Sequence, residues 1–154
     1  MKESKHLERR RIEAEMIARI YREMTKVVDS KIALRVLTTV IENAAFEEGQ
    51  TFKAKAKGDS SLDHFRTILD YWGDAMDIED IEEDGGTFQF KVVRCHYIKF
   101  YEKIGLPPEL VKLLSCARDA PFAKGYGIEF SRNQTLAEGA DHCDFCYIWR
   151  SGDE

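Results

Sequence analysis

Long apolar runs are missing from this 154-residue sequence. No stretch approaches the roughly 20 consecutive apolar residues of a membrane-spanning helix, so no membrane partner is expected. The basic opening segment, MKESKHLERRRIEAEM, lacks the apolar stretch of a secretory signal peptide. We therefore expect a cytoplasmic protein.

The sequence also has fewer basic than acidic residues. The chain has 23 Lys and Arg against 28 Asp and Glu, a formal net charge of −5, which argues against nucleic acid as the main partner. Residues 74–84 carry seven carboxylates and no base, but they lack the spaced oxygen ligands and turn glycine of a calcium loop. We interpret this acidic run as a solvated strand edge.

Internal repeats, linkers and low-complexity tracts are absent from the sequence. Hydrophobic residues make up 44% of the chain and charged residues 33%, which is typical of a globular protein with one buried core. We therefore predict a single domain over 1–154. It has a helical half, 1–73, and a mixed sheet and helix half, 74–154.

The helical half has apolar residues at every third or fourth position. This spacing predicts an amphipathic helix over about 4–28, whose charges alternate in sign as on a solvated face. A second helix begins near 32, is apolar on almost every side, and ends at Gly49 or Gly58. A third helix is predicted over 60–73. Since the first helix is exposed on one side, it is a candidate homodimer contact.

The mixed half changes to the alternating pattern of strands. Two strands flank a Gly85-Gly86 hairpin turn, and two more are predicted over 127–136 and 142–150. Between them lies a helical insert that restarts at paired prolines and breaks near Pro121. The predicted fold is α+β. Its amino-terminal helices pack on an antiparallel sheet of about four strands, and the helical insert separates two hairpins.

The segment CDFCYIWR holds two of the four cysteines, Cys143 and Cys146. Zinc knuckles place such a pair on a tight turn, and redox pairs place it at the start of a helix. Here the aromatic residues that follow predict a strand, in which an offset of three residues puts the two thiols on opposite faces. We therefore predict that they do not act as a pair.

The other cysteines lie at points where side chains could converge. Cys95 ends a strand, Cys143 begins one, and Cys116 lies in the insert three residues before Asp119. These four side chains could meet in one pocket between the insert and the sheet, although free cysteines are also ordinary small core residues. The neighbouring His96 and His142 face away in regular strands, and His6 and His64 are interpreted as solvent-exposed.

Spaced elements of the second half resemble the L-2-amino-thiazoline-4-carboxylic acid hydrolase family over about 88–149. They are CHYIKFYEKIGLPPEL, CARD and RNQTLAEGADHCDF, in that order. In the family pattern a strand ends in a cysteine before an aromatic-rich helix and a Gly-Leu-Pro turn. A Cys-x-x-Asp, an Arg, a Thr-Leu-Ala-x-Gly turn and a closing Cys-Asp-Phe follow. The amino-terminal helices add little to this resemblance.

The resemblance implies hydrolytic opening of 2-aminothiazoline-4-carboxylate, or a related C–N/C–S heterocycle, to N-carbamoyl-cysteine without a cofactor. The site residues that it suggests are Cys95, Cys116, Asp119, Cys143, Arg132, Thr135 and His96. Cys116 or Cys143 would attack and Asp119 would move protons. Arg132 would hold the substrate carboxylate, with Thr135 and His96 as further substrate contacts. A Cys–Asp pair would also need a nearby cation such as Arg118, because the carboxylate opposes thiolate formation.

Two alternatives remain open. The chain could be a sensor or binding domain of the 4-vinyl reductase type, in which Cys95, Cys116 and Cys143 hold zinc, iron or a hydrophobic ligand without catalysis. It could also be a helical dimerisation protein whose cysteines only fill the core.

Overall fold

The computed structural model describes residues 5–57 and 61–150. Its helices are α1 (Lys5–Met24), α2 (Ser30–Ala54), α3 (Ser61–Phe65), α4 (Ile68–Trp72), α5 (His96–Lys103), α6 (Pro108–Leu114) and α7 (Asp119–Tyr126). Its strands are β1 (Met76–Asp84), β2 (Thr87–Cys95), β3 (Glu129–Ser131) and β4 (Cys143–Ile148). Short 3-10 turns cover Gly73–Ala75, Cys116–Arg118 and Leu136–Glu138. The predicted α+β class is confirmed.

The first two helices form in the predicted segments, although the predicted start of α1 at residue 4 lies outside the described residues. Their ends differ from the prediction, because α1 ends at Met24 and α2 continues past Gly49 and ends at Ala54. Asp29 caps α2, because its side chain accepts a hydrogen bond of 2.8 Å from the Lys31 amide. The buried stripe of α2 recurs every four residues at Ala33, Leu37, Ile41, Ala45 and Gly49. Within the described part of the chain, no helix is both long enough and apolar enough to cross a bilayer.

The third predicted helix is instead two short helices, α3 and α4. Its predicted start at residue 60 lies outside the described residues. The helix breaks because the Thr67 hydroxyl donates a 2.6 Å hydrogen bond to the His64 carbonyl, a local bond that competes with the helical ladder. The expectation that His64 is exposed is wrong. His64 is half-buried, and its Nδ1 lies 2.8 Å from the Tyr126 hydroxyl.

The four strands form one antiparallel sheet in the order β1-β2-β4-β3. Gly85 and Gly86 make the predicted hairpin turn with φ values of 54° and 91°, a region that favours glycine. Residues 79–85 of this hairpin are exposed, which confirms the solvated acidic strand edge.

The helical insert differs from its prediction in where it breaks. The chain leaves the helix at Ser115, after α6, and Pro121 lies in the first turn of α7. A proline is tolerated there because the first amides of a helix have no intrahelical partner. The insert thus has a sharp bend at 115–118, and this bend carries Cys116.

Strand β3 is shorter than predicted, with three residues in place of the expected 127–136. After Ser131 the amides of Asn133 and Gln134 donate to the Asp144 carboxylate in place of continuing the sheet. Thr135 then caps a 3-10 turn by accepting a 3.2 Å hydrogen bond from the Glu138 amide. This turn brings the Leu136 amide beside the start of β4.

Two buried clusters meet at the site. One lies among α1, α2, α5 and α6 and includes Leu37 and Tyr101. The other lies between α3, α4, α7 and the sheet and includes Phe65 and Tyr147. Cys95 packs against both clusters, so the end of β2 lies at their junction.

Glycines allow α2 and α7 to pack with their backbones in contact. A Cβ atom at Gly49 would lie 2.1 Å from the Phe122 carbonyl oxygen, and one at Gly125 would lie 2.0 Å from the Phe46 carbonyl oxygen. Each glycine therefore leaves room for a backbone oxygen of the opposite helix. This contact fixes α7, whose first residue is Asp119.

The outward face of α1 is apolar as well as its inward face. Ile12, Met16 and Ile20 recur every four residues on the side away from the buried Ala14, and all three are exposed. A solvated helix normally carries polar residues on that face. We expect this stripe to pack against a second copy of the chain.

If two copies pack through this stripe, Met16→Glu should weaken self-association about 100-fold or more. The variant removes one apolar contact, worth roughly 1.5–3 kcal/mol, from each of the two copies. Sedimentation velocity over a concentration series would measure the effect. Val27→Glu is the control, since Val27 is 81% exposed in the turn after α1. A natural protein that remains monomeric at high micromolar concentration would contradict this prediction.

Candidate functional site

One cavity lies where the helices meet the sheet. Side chains from α1, α2, α4, β1, β2, α5, β4 and the α6–α7 segment line it. Its volume is about 80 Å³, whereas one buried water needs roughly 10–15 Å³. The space therefore suits a small molecule of several heavy atoms.

The three separated cysteines all line this cavity. Cys95 comes from the end of β2, Cys116 from the bend after α6, and Cys143 from the start of β4. Cys143 pairs in register with Val92, near the end of β2, which places two of the thiols on neighbouring strands. Cys146 does not line the cavity. Burial alternates along β4, so Cys143 and Cys146 lie on opposite faces as the strand pattern predicted.

Burial holds all three thiols in their neutral form. It raises the pKa of Cys95 to about 12, although the amides of the first turn of α5 oppose the shift. Burial also raises the pKa of Cys116 and of Cys143, while the guanidinium of Arg132 acts in the opposite direction on both. Each of these two sulfur atoms also accepts a hydrogen bond, and the one to Cys143 is the shorter. The Leu136 amide donates to Cys143 Sγ at 3.2 Å, and the Ser115 hydroxyl donates to Cys116 Sγ at 3.6 Å.

Asp119 and Arg132 form a largely buried ion pair at the cavity, with side chains 19% and 11% exposed. Arg132 Nη1 lies 2.5 Å from Asp119 Oδ2, and Arg132 Nη2 donates a 3.0 Å hydrogen bond to the Cys116 carbonyl. Burial raises the pKa of Asp119, although Arg132 opposes the shift. The guanidinium also lies over the rings of Phe130 and Phe145, at 5.2 Å and 5.1 Å from their centroids. Arg132 is therefore held by the protein on several sides.

A second set of charges reaches the cavity from α1 and α2. Arg10 is buried, and its Nη2 lies 2.6 Å from Glu48 Oε2 while its Nη1 lies 2.7 Å from Glu13 Oε2. Arg118 is also buried and donates a 3.3 Å hydrogen bond to the same Glu13 oxygen. Burial alone would lower the pKa of Arg10, but Glu48 and Glu13 outweigh it and raise the pKa.

His6 completes this second set, and the expectation that it is solvent-exposed is wrong. Its Nδ1 shares a hydrogen bond with the Tyr97 hydroxyl, and its ring packs edge-on against Tyr71 at 4.5 Å between centroids. Burial, and then the charges of Arg10, Arg118 and Arg9, lower the pKa of His6 to about 3. The imidazole is therefore neutral at physiological pH.

Two predicted substrate contacts do not line the cavity. Thr135 is buried, and its hydroxyl caps the 3-10 turn that carries Leu136. His96 is half-buried with its Nε2 3.6 Å from Asp77 Oδ1. Thr135 can therefore act on the site only through the turn that it caps.

Sequence reasoning missed His6, Arg10 and Glu48 as cavity residues. The charges of α1 were interpreted as one solvated face, whereas Arg10 lies on the buried face. Arg10 precedes Ala14 by one helical turn and so shares its side of the helix, but the burial of Ala14 is evident only in the structure.

The metal alternative required the cysteines to form a ligand set. Among the residues that the structure describes, no three His, Cys, Asp or Glu side chains are grouped so that they could hold a metal ion.

Comparison with protein families gives a match over most of the chain. The model of the L-2-amino-thiazoline-4-carboxylic acid hydrolase family matches residues 9–147. The match extends beyond the resemblance in 88–149 and takes in nearly all of α1 and the whole of α2. Comparison with curated proteins gives no match.

The solved structures that are similar to this chain include the following two. One is the phenol-responsive sensory domain of the transcription activator PoxR with phenol, with a TM-score of 0.51 and 11% identity, covering 91% of this chain and 77% of that one. The other is a trafficking protein particle complex subunit 3 from Naegleria fowleri covalently bound to palmitic acid, with a TM-score of 0.49 and 10% identity, covering 93% and 96%. At 11% identity, the first similarity concerns the fold alone.

Proposed function

Because the chain belongs to the L-2-amino-thiazoline-4-carboxylic acid hydrolase family, we propose that it hydrolyses a 2-aminothiazoline-4-carboxylate or a closely related heterocycle. The observation that supports this most directly is the shared cavity. It brings Cys116, Cys143 and the Asp119–Arg132 pair to the same space, although they come from three separate segments. Family membership alone does not identify a substrate, because members of a family can keep a pocket and change its chemistry.

The reaction requires addition to the ring carbon between sulfur and nitrogen. A nucleophile adds there, and the tetrahedral intermediate then expels the ring sulfur. One water is consumed overall. Its oxygen becomes the carbonyl of the carbamoyl group, one proton goes to the ring nitrogen, and the other goes to the released thiol.

Among the three thiols, we assign the attack to Cys143. The Leu136 amide at 3.2 Å and the nearby Arg132 guanidinium both favour its anionic form. Cys95, with its pKa raised to about 12, is the least suited to attack. In this mechanism the Cys143 sulfur bonds to the ring carbon, and water later displaces it.

Asp119 is the proposed proton carrier. Burial raises its pKa, although Arg132 opposes the shift, and a raised pKa makes the carboxylate a better proton acceptor. Arg132 positions it through the 2.5 Å contact. Asp119 would take the thiol proton before attack and return a proton to the departing ring sulfur.

The experiment that tests this proposal is product analysis by mass spectrometry. The natural protein should convert 2-aminothiazoline-4-carboxylate to N-carbamoyl-cysteine, and Cys143→Ser should lower kcat/KM on the order of 1,000-fold or more. Cys146→Ser is the matched control, because Cys146 lies on the same strand but on the opposite face. It should retain activity within about twofold. Absence of product with the natural protein, or full activity in Cys143→Ser, would contradict the proposal.

The second candidate function is ligand binding without turnover, as in a small-molecule sensor. The observation that favours it is the neutral state of all three cavity thiols, which burial imposes. In that case the natural protein would bind a small heterocycle with measurable affinity and release it unchanged.

A further inference from the structure

We propose that His6 and Arg118 form a carboxylate-binding subsite in the cavity, and that they, in place of Arg132, hold the acid group of the substrate. This inference rests on the proposed function for the identity of the substrate. It concerns cavity residues other than the thiols. Its basis is the pattern of contacts around α1.

The buried charges of this region are balanced in number but not in contacts. Arg10 contacts both Glu13 and Glu48, whereas Arg118 contacts only Glu13, at 3.3 Å. Arg9 also contacts both carboxylates, but its side chain is 60% exposed and therefore solvated. Arg118 is thus the weakly paired cation of the buried set, and a ligand carboxylate would complete its pairing.

Arg118 is the guanidinium best placed to receive this anion. Among the described residues, its hydrogen bonds use Nε, which donates to the Leu114 carbonyl at 3.0 Å, and Nη2, which donates to Glu13 at 3.3 Å. Nη1 has no such bond. Burial and the charge of Arg10 lower the pKa of Arg118, so its own partners do not fully compensate its charge. Arg118 also lines the cavity.

His6 supplies the second contact. Its Nε2 is buried, borders the cavity, and has no hydrogen-bond partner among the described residues. A buried polar atom without a partner is costly, so a ligand that bonds to it gains affinity. In the tautomer that serves this role, Nδ1 accepts from the Tyr97 hydroxyl, so Nε2 carries the ring proton and can donate it to a carboxylate.

Arg132, which the sequence suggested for this role, is already engaged. Its Nη1 is bound to Asp119 and its Nη2 to the Cys116 carbonyl, and aromatic rings flank its guanidinium. Moving it onto a substrate would break the ion pair and leave the buried Asp119 carboxylate without compensation. The carboxylate subsite and the thiols would then hold two different ends of the same small substrate.

The test uses an inert ligand, so it does not depend on turnover. L-Thiazolidine-4-carboxylate has the ring and acid group of the proposed substrate but lacks its electrophilic carbon, and its carboxamide lacks the charge. Calorimetry should show that the natural protein prefers the acid over the amide at least about tenfold. In Arg118→Met this preference should fall to near one, while Arg118→Lys should retain part of it. Arg19→Met, at an exposed position of α1, is the charge-matched control and should leave the preference unchanged.

His6→Phe provides an independent variant should Arg118→Met fail to fold. It keeps an aromatic ring but removes Nε2, and it should weaken binding of the acid several-fold more than binding of the amide.

The subsite is refuted by equal affinity of the natural protein for acid and amide, or by an unchanged preference in the folded variants. Hydrolysis with an unchanged preference would refute the subsite alone. An acid preference that depends on Arg118, without any hydrolysis, would refute only the proposed reaction.

Discussion

Replacing Arg132 with methionine is expected to lower the free energy of unfolding at pH 7 by about 3–5 kcal/mol, the usual cost of leaving a buried charge without its partner. Methionine retains most of the apolar length of arginine, so the effect comes mainly from the lost charge. The carboxyl group left behind belongs to Asp119, which lines the cavity and bonds to Arg132 at 2.5 Å. Urea denaturation followed by circular dichroism measures the change.

The pH dependence of the stability of Arg132→Met tests whether the unpaired Asp119 carboxylate causes the loss. Without Arg132, burial would raise the pKa of Asp119 in the folded state further above its unfolded value of about 3.9. A carboxyl group with a raised pKa binds its proton more tightly in the folded state. The variant should therefore be least impaired below about pH 4, and should lose stability as the pH rises through the folded-state pKa.

Two control variants distinguish the loss of the ion pair from nonspecific destabilisation. Arg150→Met breaks the exposed pair with Glu129 in the neighbouring strand and should cost less than about 1 kcal/mol. The double variant Asp119→Leu/Arg132→Met removes both charges and should regain most of the lost stability. A loss of unfolding free energy in Arg132→Met no larger than that in Arg150→Met would contradict a stabilising role for the ion pair.

Substituting Gly49 by alanine is the second change with a large expected effect. The added methyl group would lie 2.1 Å from the Phe122 carbonyl oxygen, which belongs to the rigid backbone of α7. The two helices must move apart to accept it, and we expect a loss of about 3 kcal/mol. This loss opposes the gain of roughly 1 kcal/mol that alanine normally gives within a helix.

Gln50→Ala is the matched control because it changes the adjacent, exposed residue of the same helix. It should be neutral or slightly stabilising, and both variants can be compared by urea denaturation. Since α7 begins with Asp119, the Gly49→Ala variant should also bind small cavity ligands more weakly. An unfolding free energy within 0.5 kcal/mol of the natural chain would contradict the close contact, because surface substitutions commonly stay within that range.

The sheet and its inward-facing cysteine could be predicted because strand periodicity is local. Alternation along 143–150 was sufficient to separate Cys143 from Cys146. The ends of two strands were sufficient to suggest that Cys95 and Cys143 converge. These inferences need only the two-residue repeat of a strand and the tendency of successive strands to pair.

The α1 contribution to the cavity could not be predicted in the same way. The burial of Arg10 depends on Glu48, which lies 38 residues further along the chain. No local sequence pattern indicates that contact. The same is true of His6, whose partner Tyr97 lies 91 residues away. The bend at Ser115 and the early end of β3 are places where the chain leaves a regular helix or strand. Single residues determine such places, and hydrophobic periodicity does not detect them.

The edges of the sheet have a consequence for how the protein behaves at high concentration. Strand β1 forms one edge and carries six carboxylates, with pairing irregularities and a positive φ of 52° at Asp80. Strand β3 forms the other edge and is only three residues long. Bulged, like-charged or very short edges are poor templates for adding strands from another molecule. The sheet is therefore protected against edge-to-edge aggregation and amyloid-like growth.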